Sequence, residues 1–297
     1  MSSGQSKSLL SHDFLRRLDQ LRLASNQPAR GHLKGLHRSN RAGSGMEFRD
    51  YRAYSEGDEL KSVDWRAYLR LERLVVKLFV EEADLPIYLF LDSSASMRIG
   101  EPSKFDYGRR VAAALAHIGF INMDRISLVA VADRVVQDRS GMRGKDRSWA
   151  AFRFLEGLHT GGRTSLALAF KQYFARARPH GLVVVISDFL DPDGFEPALA
   201  VLRNLRQEVL ALHLVAREEI EPAFGDEVEL IDVEDGSAVV ERITPALAEA
   251  YRQAFAQHGA DIDAYCSRRG WGYVRAITDS SIEDLVWRAL RKEGLLQ

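Results

Sequence analysis

The alternation of apolar, strand-like runs with helix-like stretches after Leu85 constrains the fold more than any other feature of this chain of 297 residues. The runs are almost continuously apolar, and their sequences are PIYLFLD (86–92), RISLVAVAD (125–133), GLVVVISDF (181–189) and EVLALHLVA (208–216). Such strands are buried on both faces, and strands separated by helices are joined in parallel. The sequence therefore predicts an α/β fold with a doubly wound, mainly parallel sheet and helices on both faces.

Periodicity and turn residues predict the other elements of this region. A helix is expected at 105–123, and a hairpin at 228–243 with Asp235-Gly236 as its turn. A long helix is expected to begin at Pro245, directly after a threonine cap. The sequence GYVRAITD predicts a last strand, and SIEDLVWRALRKEG a last helix.

The first 83 residues differ from this pattern and divide into two further segments. Residues 1–45 combine a predicted amphipathic helix within 8–24 with a Gly/Ser-rich linker that is locally basic at 29–41. Residues 46–83 are dense in charges and aromatics and end in the strand-like run LVVKLFVEE, which predicts a small helical/β flanking module. The predicted domains are therefore 1–45, 46–83 and 84–297.

Composition excludes several classes of protein. The single cysteine, Cys266, rules out an intrachain disulfide and a four-cysteine zinc site. The longest mostly apolar run, at 111–121, is shorter than the roughly 20 residues that span a bilayer, and the N-terminus has no signal-peptide core. A cytoplasmic protein without a transmembrane segment is predicted, with peripheral membrane association left open.

Whole-chain charge gives no reason to expect a nucleic-acid partner, since the formal net charge is −1. The basic linker 29–41 is interpreted as a solvated segment, with contact to an acidic partner or a phosphate backbone as the alternative. No aromatic residue interleaves with its charges, so binding of single strands is not expected.

Polar side chains follow two of the predicted strands and open one predicted helix. Asp92, Ser94 and Ser96 follow the first strand, Asp188 follows a later one, and Thr164 lies in the turn LHTGGRTSLAL. Ligands of open α/β sheets bind beyond the carboxyl ends of strands. These oxygen donors suit a hard divalent cation, most of all Mg²⁺, with Mn²⁺ or Ca²⁺ as alternatives. The competing interpretation is a serine-rich turn that caps the next helix.

The same residues resemble the metal-ion-dependent adhesion site of von Willebrand factor type A domains. That motif is D-x-S-x-S, then T, then D, and it matches DSSAS, GGRTSL and ISDF in chain order. The resemblance implies a von Willebrand A-like domain in which Asp92, Ser94, Ser96, Thr164 and Asp188 hold the ion. It also implies that a partner protein supplies an acidic residue to the metal. Phe189 departs from the glycine that often follows the last aspartate.

A second resemblance covers most of the chain from Gly45. The patterns E-F-R-x-Y (47–51), G-D (57–58), D-W-x-A (64–67) and D-S-S-A-S-M (92–97) resemble the signature of a bacterial family known as domain of unknown function 58. This resemblance implies a scaffold or adaptor for a MoxR-type AAA+ ATPase, in a chaperone-like or complex-maturation system. Many members of that family carry membrane helices before this region, and none is found in this sequence.

Catalytic motifs were tested on the same residues. A haloacid-dehalogenase phosphatase needs a second aspartate two positions after the first, where this chain has Ser94. The sequence has no P-loop and no G-x-S-x-G elbow. The protein is therefore predicted not to be an enzyme, and a metal-dependent hydrolase (phosphatase or nuclease) on the same fold is the alternative.

A cluster of mixed charges in the flanking module is the other candidate site. It contains Arg49, Asp58, Asp64, Trp65 and Arg66. Charges of both signs alternate there, so salt bridges within the module are the first interpretation. A partner-docking surface is the functional alternative.

Overall fold

A computed structural model describes residues 9–21, 46–56, 58, 63–81, 86–222, 227–234 and 236–290. The chain forms two compact units, one of Met1–Asn26 with Leu85–Gln297 and one of Gln27–Asp84. The strands are β1 (Met46–Ala53), β2 (Val75–Glu81), β3 (Pro86–Asp92), β4 (Arg125–Val131), β5 (Val135–Met142), β6 (Leu182–Ser187), β7 (Glu208–Val215), β8 (Glu227–Ile231), β9 (Ala238–Arg242) and β10 (Gly272–Ile277).

The helices alternate with these strands through most of the larger unit. They are α1 (His12–Leu18), α2 (Trp65–Leu71), α3 (Lys104–Ile121), α4 (Ser148–Glu156), α5 (Leu166–Phe174), α6 (Glu196–Asn204), α7 (Arg217–Ile220), α8 (Pro245–Ser267) and α9 (Ile282–Asp284). A π-helical stretch, Leu285–Leu290, follows α9. Among the residues described, no helix is both long and apolar enough to cross a bilayer.

The main sheet has the order β10-β7-β6-β3-β4-β5, and every neighbouring pair is parallel except β4 with β5. Successive side chains of a strand point to opposite faces. Accordingly Ile87 and Leu89 join the core under α3, whereas Tyr88 and Phe90 join the core on the other face with α5 and α6. Both faces are covered, which explains the continuous apolar runs. The predicted α/β class and mainly parallel sheet are confirmed.

The edge strand β5 was not predicted from the sequence. Its residues, VVQDRSGM, are half polar and mostly exposed, and it pairs antiparallel with β4 in an irregular register. An edge strand with solvent on its side chains needs no apolar run, so the apolar pattern could not reveal it.

Helix α1 belongs to the larger unit. Phe14 and Leu18 are buried in the same core as α3, and His117 of α3 lies 3.0 Å from the Asp19 carboxylate. The helix runs from His12 to Leu18 and is therefore shorter than the predicted span within 8–24. The basic linker 29–41 lies outside the described residues. The apolar face of α1 groups it with the sheet domain rather than with the linker.

The smaller unit contains an antiparallel pair and a short helix. Strand β1 pairs with β2 in a register that runs from Met46 opposite Glu81 to Ala53 opposite Val75. Strand β2 agrees with the predicted strand, while β1 and α2 were not predicted. Asp64 caps α2 by accepting hydrogen bonds from the N–H groups of Arg66 (3.0 Å) and Ala67 (3.2 Å).

The predicted hairpin at 228–243 is present as β8 and β9. It forms a two-stranded sheet of its own, with Glu227 opposite Arg242 and Ile231 opposite Ala238. Gly236 in its turn has a φ of 77°, a left-handed conformation that glycine adopts without strain. The tip of this hairpin lies at the candidate site described next.

Candidate metal centre

The candidate site lies at the carboxyl edge of the main sheet, between β3 and β6. From β3 the chain continues to β4 on one side, and the later strands β6, β7 and β10 lie on the other side. The strand order therefore reverses at this point, where a crevice for ligands forms in open α/β sheets. Asp92 is the last residue of β3, and Asp188 directly follows β6. Both carboxylates are buried.

The loop after β3 turns back on the Asp92 carboxylate. The N–H of Ser94 donates to Oδ1 of Asp92 (2.9 Å), and the hydroxyl of Ser187 donates to its Oδ2 (2.6 Å). The Ser94 and Ser96 hydroxyl oxygens are 3.1 Å apart. Three of the five predicted ligands, Asp92, Ser94 and Ser96, are therefore connected by hydrogen bonds.

Thr164 reaches the site through its loop. The N–H of Gly161 donates to the carbonyl of Ser93 (2.8 Å), and the N–H of Ala95 donates to the carbonyl of Gly162 (3.1 Å). The loop before α5 is thereby held against the loop after β3. Thr164 itself is buried. The structure brings all five predicted residues to one edge of the sheet.

The remaining serine of the motif faces away from this cluster. The Ser93 hydroxyl donates to the carbonyl of Val131 on β4 (2.9 Å), and its N–H donates to the same oxygen (2.7 Å). Its polar groups are therefore used to join two strands, and it acts as a spacer between Asp92 and Ser94.

The structure adds three charged residues that the sequence analysis did not connect to the site. Lys104, the first residue of α3, is fully buried, and its Nζ donates to Asp188 Oδ2 at 2.7 Å. The same ammonium donates to the Glu219 carboxylate. The Glu234 carboxylate accepts from the N–H (3.1 Å) and the hydroxyl (2.5 Å) of Thr164. The sequence did contain a signal for Lys104. A lysine in the first turn of a helix is unfavourable for the helix dipole, which indicates that its charge is used in another contact.

Burial and charge set the protonation of the two aspartates in opposite directions. Burial, and then the negative charge of Asp188, raise the pKa of Asp92 to about 7. Burial also raises the pKa of Asp188, but the Lys104 ammonium outweighs it and holds that pKa below its usual value. The hydrogen-bond donors of Asp92 are a backbone amide and a hydroxyl, both neutral. Asp92 is therefore a buried carboxylate near the Asp188 carboxylate, and neither of its two hydrogen-bond donors is a cation.

This arrangement fits a divalent cation. The donors are carboxylate and hydroxyl oxygens, the ligand type of Mg²⁺, Mn²⁺ and Ca²⁺. Burial is the main cause of the raised pKa of Asp92 and the Asp188 charge is the second, and a bound cation would favour the charged carboxylate. In the described ranges no group of three or more His, Cys, Asp or Glu side chains is placed to hold a metal ion. The candidate set therefore depends on its hydroxyl ligands.

The charged cluster of the smaller unit is held largely by internal contacts. Arg52 donates to Asp58 Oδ1 (2.9 Å), and this hydrogen bond lowers the pKa of Asp58. The Tyr51 hydroxyl donates to Asp64 Oδ2 (3.0 Å), beside the two amides that Asp64 caps. Both aspartates are buried and serve the structure of the module.

The other members of that cluster are differently placed. Trp65 begins α2 with its side chain half exposed, and Arg66 is exposed. Arg49 lies in β1, and its side chain is outside the described residues. Among the members of the set whose side chains are described, Trp65 and Arg66 are therefore the exposed ones.

Taken together, the fold and the crevice define a mainly parallel α/β domain with a carboxylate and hydroxyl cluster at its carboxyl edge. The chain belongs to the DUF58 family, since the family model described as "Protein of unknown function DUF58" matches residues 50–261. The "Uncharacterized protein Rv1480" of Mycobacterium tuberculosis (strain ATCC 25618 / H37Rv) is 30% identical over 287 residues, which cover 94% of this chain and 90% of that protein.

Two solved structures align with much of the chain at low sequence identity. The conserved hypothetical protein BatB from Bacteroides thetaiotaomicron aligns with 71% of this chain and 98% of its own, at 18% identity and a TM-score of 0.42. The manganese-loaded TRAP protein of Plasmodium vivax aligns with 68% of this chain and 72% of its own, at 14% identity and a TM-score of 0.37.

Proposed function

We propose that this protein is a non-enzymatic, metal-dependent protein-binding module, and that it takes an acidic residue of a partner as a ligand of its ion. The observation that carries the proposal is the pair of buried carboxylates, Asp92 and Asp188, beside the hydroxyls of Ser94 and Ser96. When bound, a divalent cation would supply positive charge to this pair and an open coordination position for one more oxygen. Mg²⁺ is the first expectation, with Mn²⁺ or Ca²⁺ as alternatives.

The role of the partner's acidic residue rests on the resemblance to the adhesion site of von Willebrand A domains. The order D-x-S-x-S, T, D is kept in this chain, and its members lie at the end of β3 or in the segments that follow β3, precede α5 and follow β6, at the same edge of the sheet. A carboxylate in trans is the oxygen ligand that such a centre accepts. A scaffold function follows from binding of this kind without turnover.

The nature of the partner rests on the second resemblance. The signature between Gly45 and Met97 implies work with a MoxR-type AAA+ ATPase, as an adaptor in a chaperone-like or complex-maturation system. The exposed Trp65 and Arg66 offer a separate contact surface on the smaller unit. The proposal therefore has two parts, a metal-dependent contact and a named class of partner, and each needs its own test.

The metal site is tested by calorimetry with Mg²⁺ and Mn²⁺ on three proteins. Wild type and Asp138→Asn should bind the ion alike, because Asp138 is exposed on β5. Asp92→Asn should lose binding, because the substitution removes a ligand charge while keeping the shape of the side chain. Equal binding by wild type and Asp92→Asn would show that the ion is held elsewhere.

The partner is tested by capture of the MoxR-type AAA+ ATPase from the same organism, with and without a chelator. Capture that disappears with chelator and with Asp92→Asn supports the proposal. A phosphatase and nuclease screen tests the catalytic alternative on the same proteins. Turnover that depends on Asp92 would replace the binding function with a hydrolase.

A further inference from the structure

The β8–β9 hairpin is held at the metal centre by its tip. It forms a sheet separate from the main one, and the side chains of β9 are all exposed. Apolar side chains at Leu230, Ile231, Val239 and Val240 are about half exposed. An isolated two-stranded hairpin is marginally stable, so contacts at its tip matter for its position.

The tip is shaped to present one carboxylate. Asp232 accepts the N–H of Glu234 on its side chain (2.7 Å) and the N–H of Gly236 on its carbonyl (2.9 Å). The N–H of Asp232 donates to the carbonyl of Ser237 (2.8 Å), which closes the turn. Glu234 then accepts both donors of Thr164, as described above. Backbone and side-chain contacts together fix the direction of the Glu234 carboxylate.

The chemistry of this contact leaves room for an ion. A threonine hydroxyl has one proton and two lone pairs. Thr164 gives its proton to Glu234, so its lone pairs remain available to a metal. The contact also brings one more negative charge to an edge where the carboxylates of Asp92, Asp188 and Glu219 are opposed by the ammonium of Lys104. Like charges repel most strongly where water is excluded, and a cation among them reverses that effect.

We propose that Glu234 is an internal ligand of the candidate metal centre, and that it reaches the ion beside the Thr164 hydroxyl rather than as part of a cluster of three carboxylates. It takes in cis the coordination position that the acidic residue of a partner takes in trans. This inference rests on the proposed function and adds a regulatory element to it. The partner must displace the hairpin tip, and a tethered ligand competes at a high effective concentration. In the free protein, a carboxylate that binds the ion weakly therefore cannot displace Glu234. A partner that also binds the apolar side chains of the hairpin can displace it.

The test uses calorimetry with Mn²⁺ together with hydrogen exchange of residues 227–242, with and without Mn²⁺. In wild type, Mn²⁺ should slow exchange in the hairpin. Glu234→Gln should bind Mn²⁺ about tenfold more weakly or worse, the size of effect seen when groups around a metal are removed, and its hairpin exchange should not respond to the ion. The matched control is Glu241→Gln, an equal change of charge at an exposed position of β9, which should behave as wild type.

Acetate gives a second readout that does not depend on hairpin stability. Glu234→Ala leaves space for a carboxylate, so high acetate should restore its Mn²⁺ affinity and should leave wild type unchanged. If Glu234→Gln binds Mn²⁺ as tightly as wild type, and hairpin exchange ignores the ion, the internal-ligand inference is wrong while the metal site stands. If wild type itself binds no Mn²⁺, the proposed function fails and this inference fails with it.

Discussion

Replacement of Lys104 by methionine tests the electrostatics of the site most directly. The Lys104 side chain is fully buried, and it donates to the carboxylates of Asp188 and Glu219. Burial lowers the pKa of this ammonium, but the two carboxylates outweigh burial and raise it above its usual value. Methionine keeps most of the apolar volume and removes the charge. Two carboxylates then remain with no cation in that contact.

The expected loss is about 3–5 kcal/mol in the free energy of unfolding, the usual cost of removing one partner of a buried ion pair. Urea unfolding followed by circular dichroism measures it. Arg17→Met is the control, because its pair with Glu283 is 3.5 Å long with both side chains about half exposed. A pair of that kind contributes about 1 kcal/mol or less.

The double variant Lys104→Met/Glu219→Gln sharpens the result. It removes one of the two stranded charges, so it should be more stable than Lys104→Met alone. If the free energy of unfolding of Lys104→Met lies within about 1 kcal/mol of the wild-type value, the reasoning is refuted, because removing one partner of a buried ion pair should cost more than that. A double variant less stable than the single one would refute it as well.

Three further predictions concern other parts of the chain. Burial lowers the pKa of His213 to about 3, so below about pH 6.5 the unfolded state binds a proton that the folded state does not. The contribution of this group to stability should fall by about 2 kcal/mol between pH 6.5 and about pH 5. The raised pKa of Asp92 acts in the opposite sense over this range, so the fall should be seen in the difference between wild type and His213→Phe in urea titrations. Gly181→Ala should cost about 1–3 kcal/mol, because its Cβ would lie 2.0 Å from the Pro86 carbonyl oxygen, whereas Gly157→Ala, with its nearest atom at 3.5 Å, should change the urea midpoint little. Asp64→Ala should destabilise α2 by about 1 kcal/mol and speed amide exchange at 65–71, while Asp64→Asn should not; equal exchange in both variants would contradict the cap.

The sequence was sufficient to predict the parallel strands of the main sheet and the position of the two aspartates at its edge, for a physical reason. Strands buried on both faces must be apolar, and the polar residue that ends such a run marks the edge of the sheet. Asp92 and Asp188 could therefore be placed at one edge of the sheet from the sequence alone. Thr164 could be placed near them because it lies in a turn that precedes a predicted helix. Their role as metal ligands stays a prediction.

The charged neighbours of the site could not be found in this way. Lys104 lies 84 residues from Asp188 and 115 from Glu219 in sequence, and Glu234 lies 70 residues from Thr164. No local pattern encodes contacts at such separations. Helix α2 is different, because Asp64 before WRAYLRL is a capping signal that the sequence analysis did not use.

The exposed strand β5 has a consequence for how partners approach the larger unit. Its exposed residues include the polar run 137–140, with Asp138 and Arg139, and its pairing with β4 is broken by register shifts. Such an edge is a poor template for another chain, so it resists both sheet-to-sheet aggregation and recognition by strand addition. Under the proposed binding function, partner contacts would then fall on the loops at the carboxyl ends of the strands, where side chains rather than backbone would determine which partner is accepted.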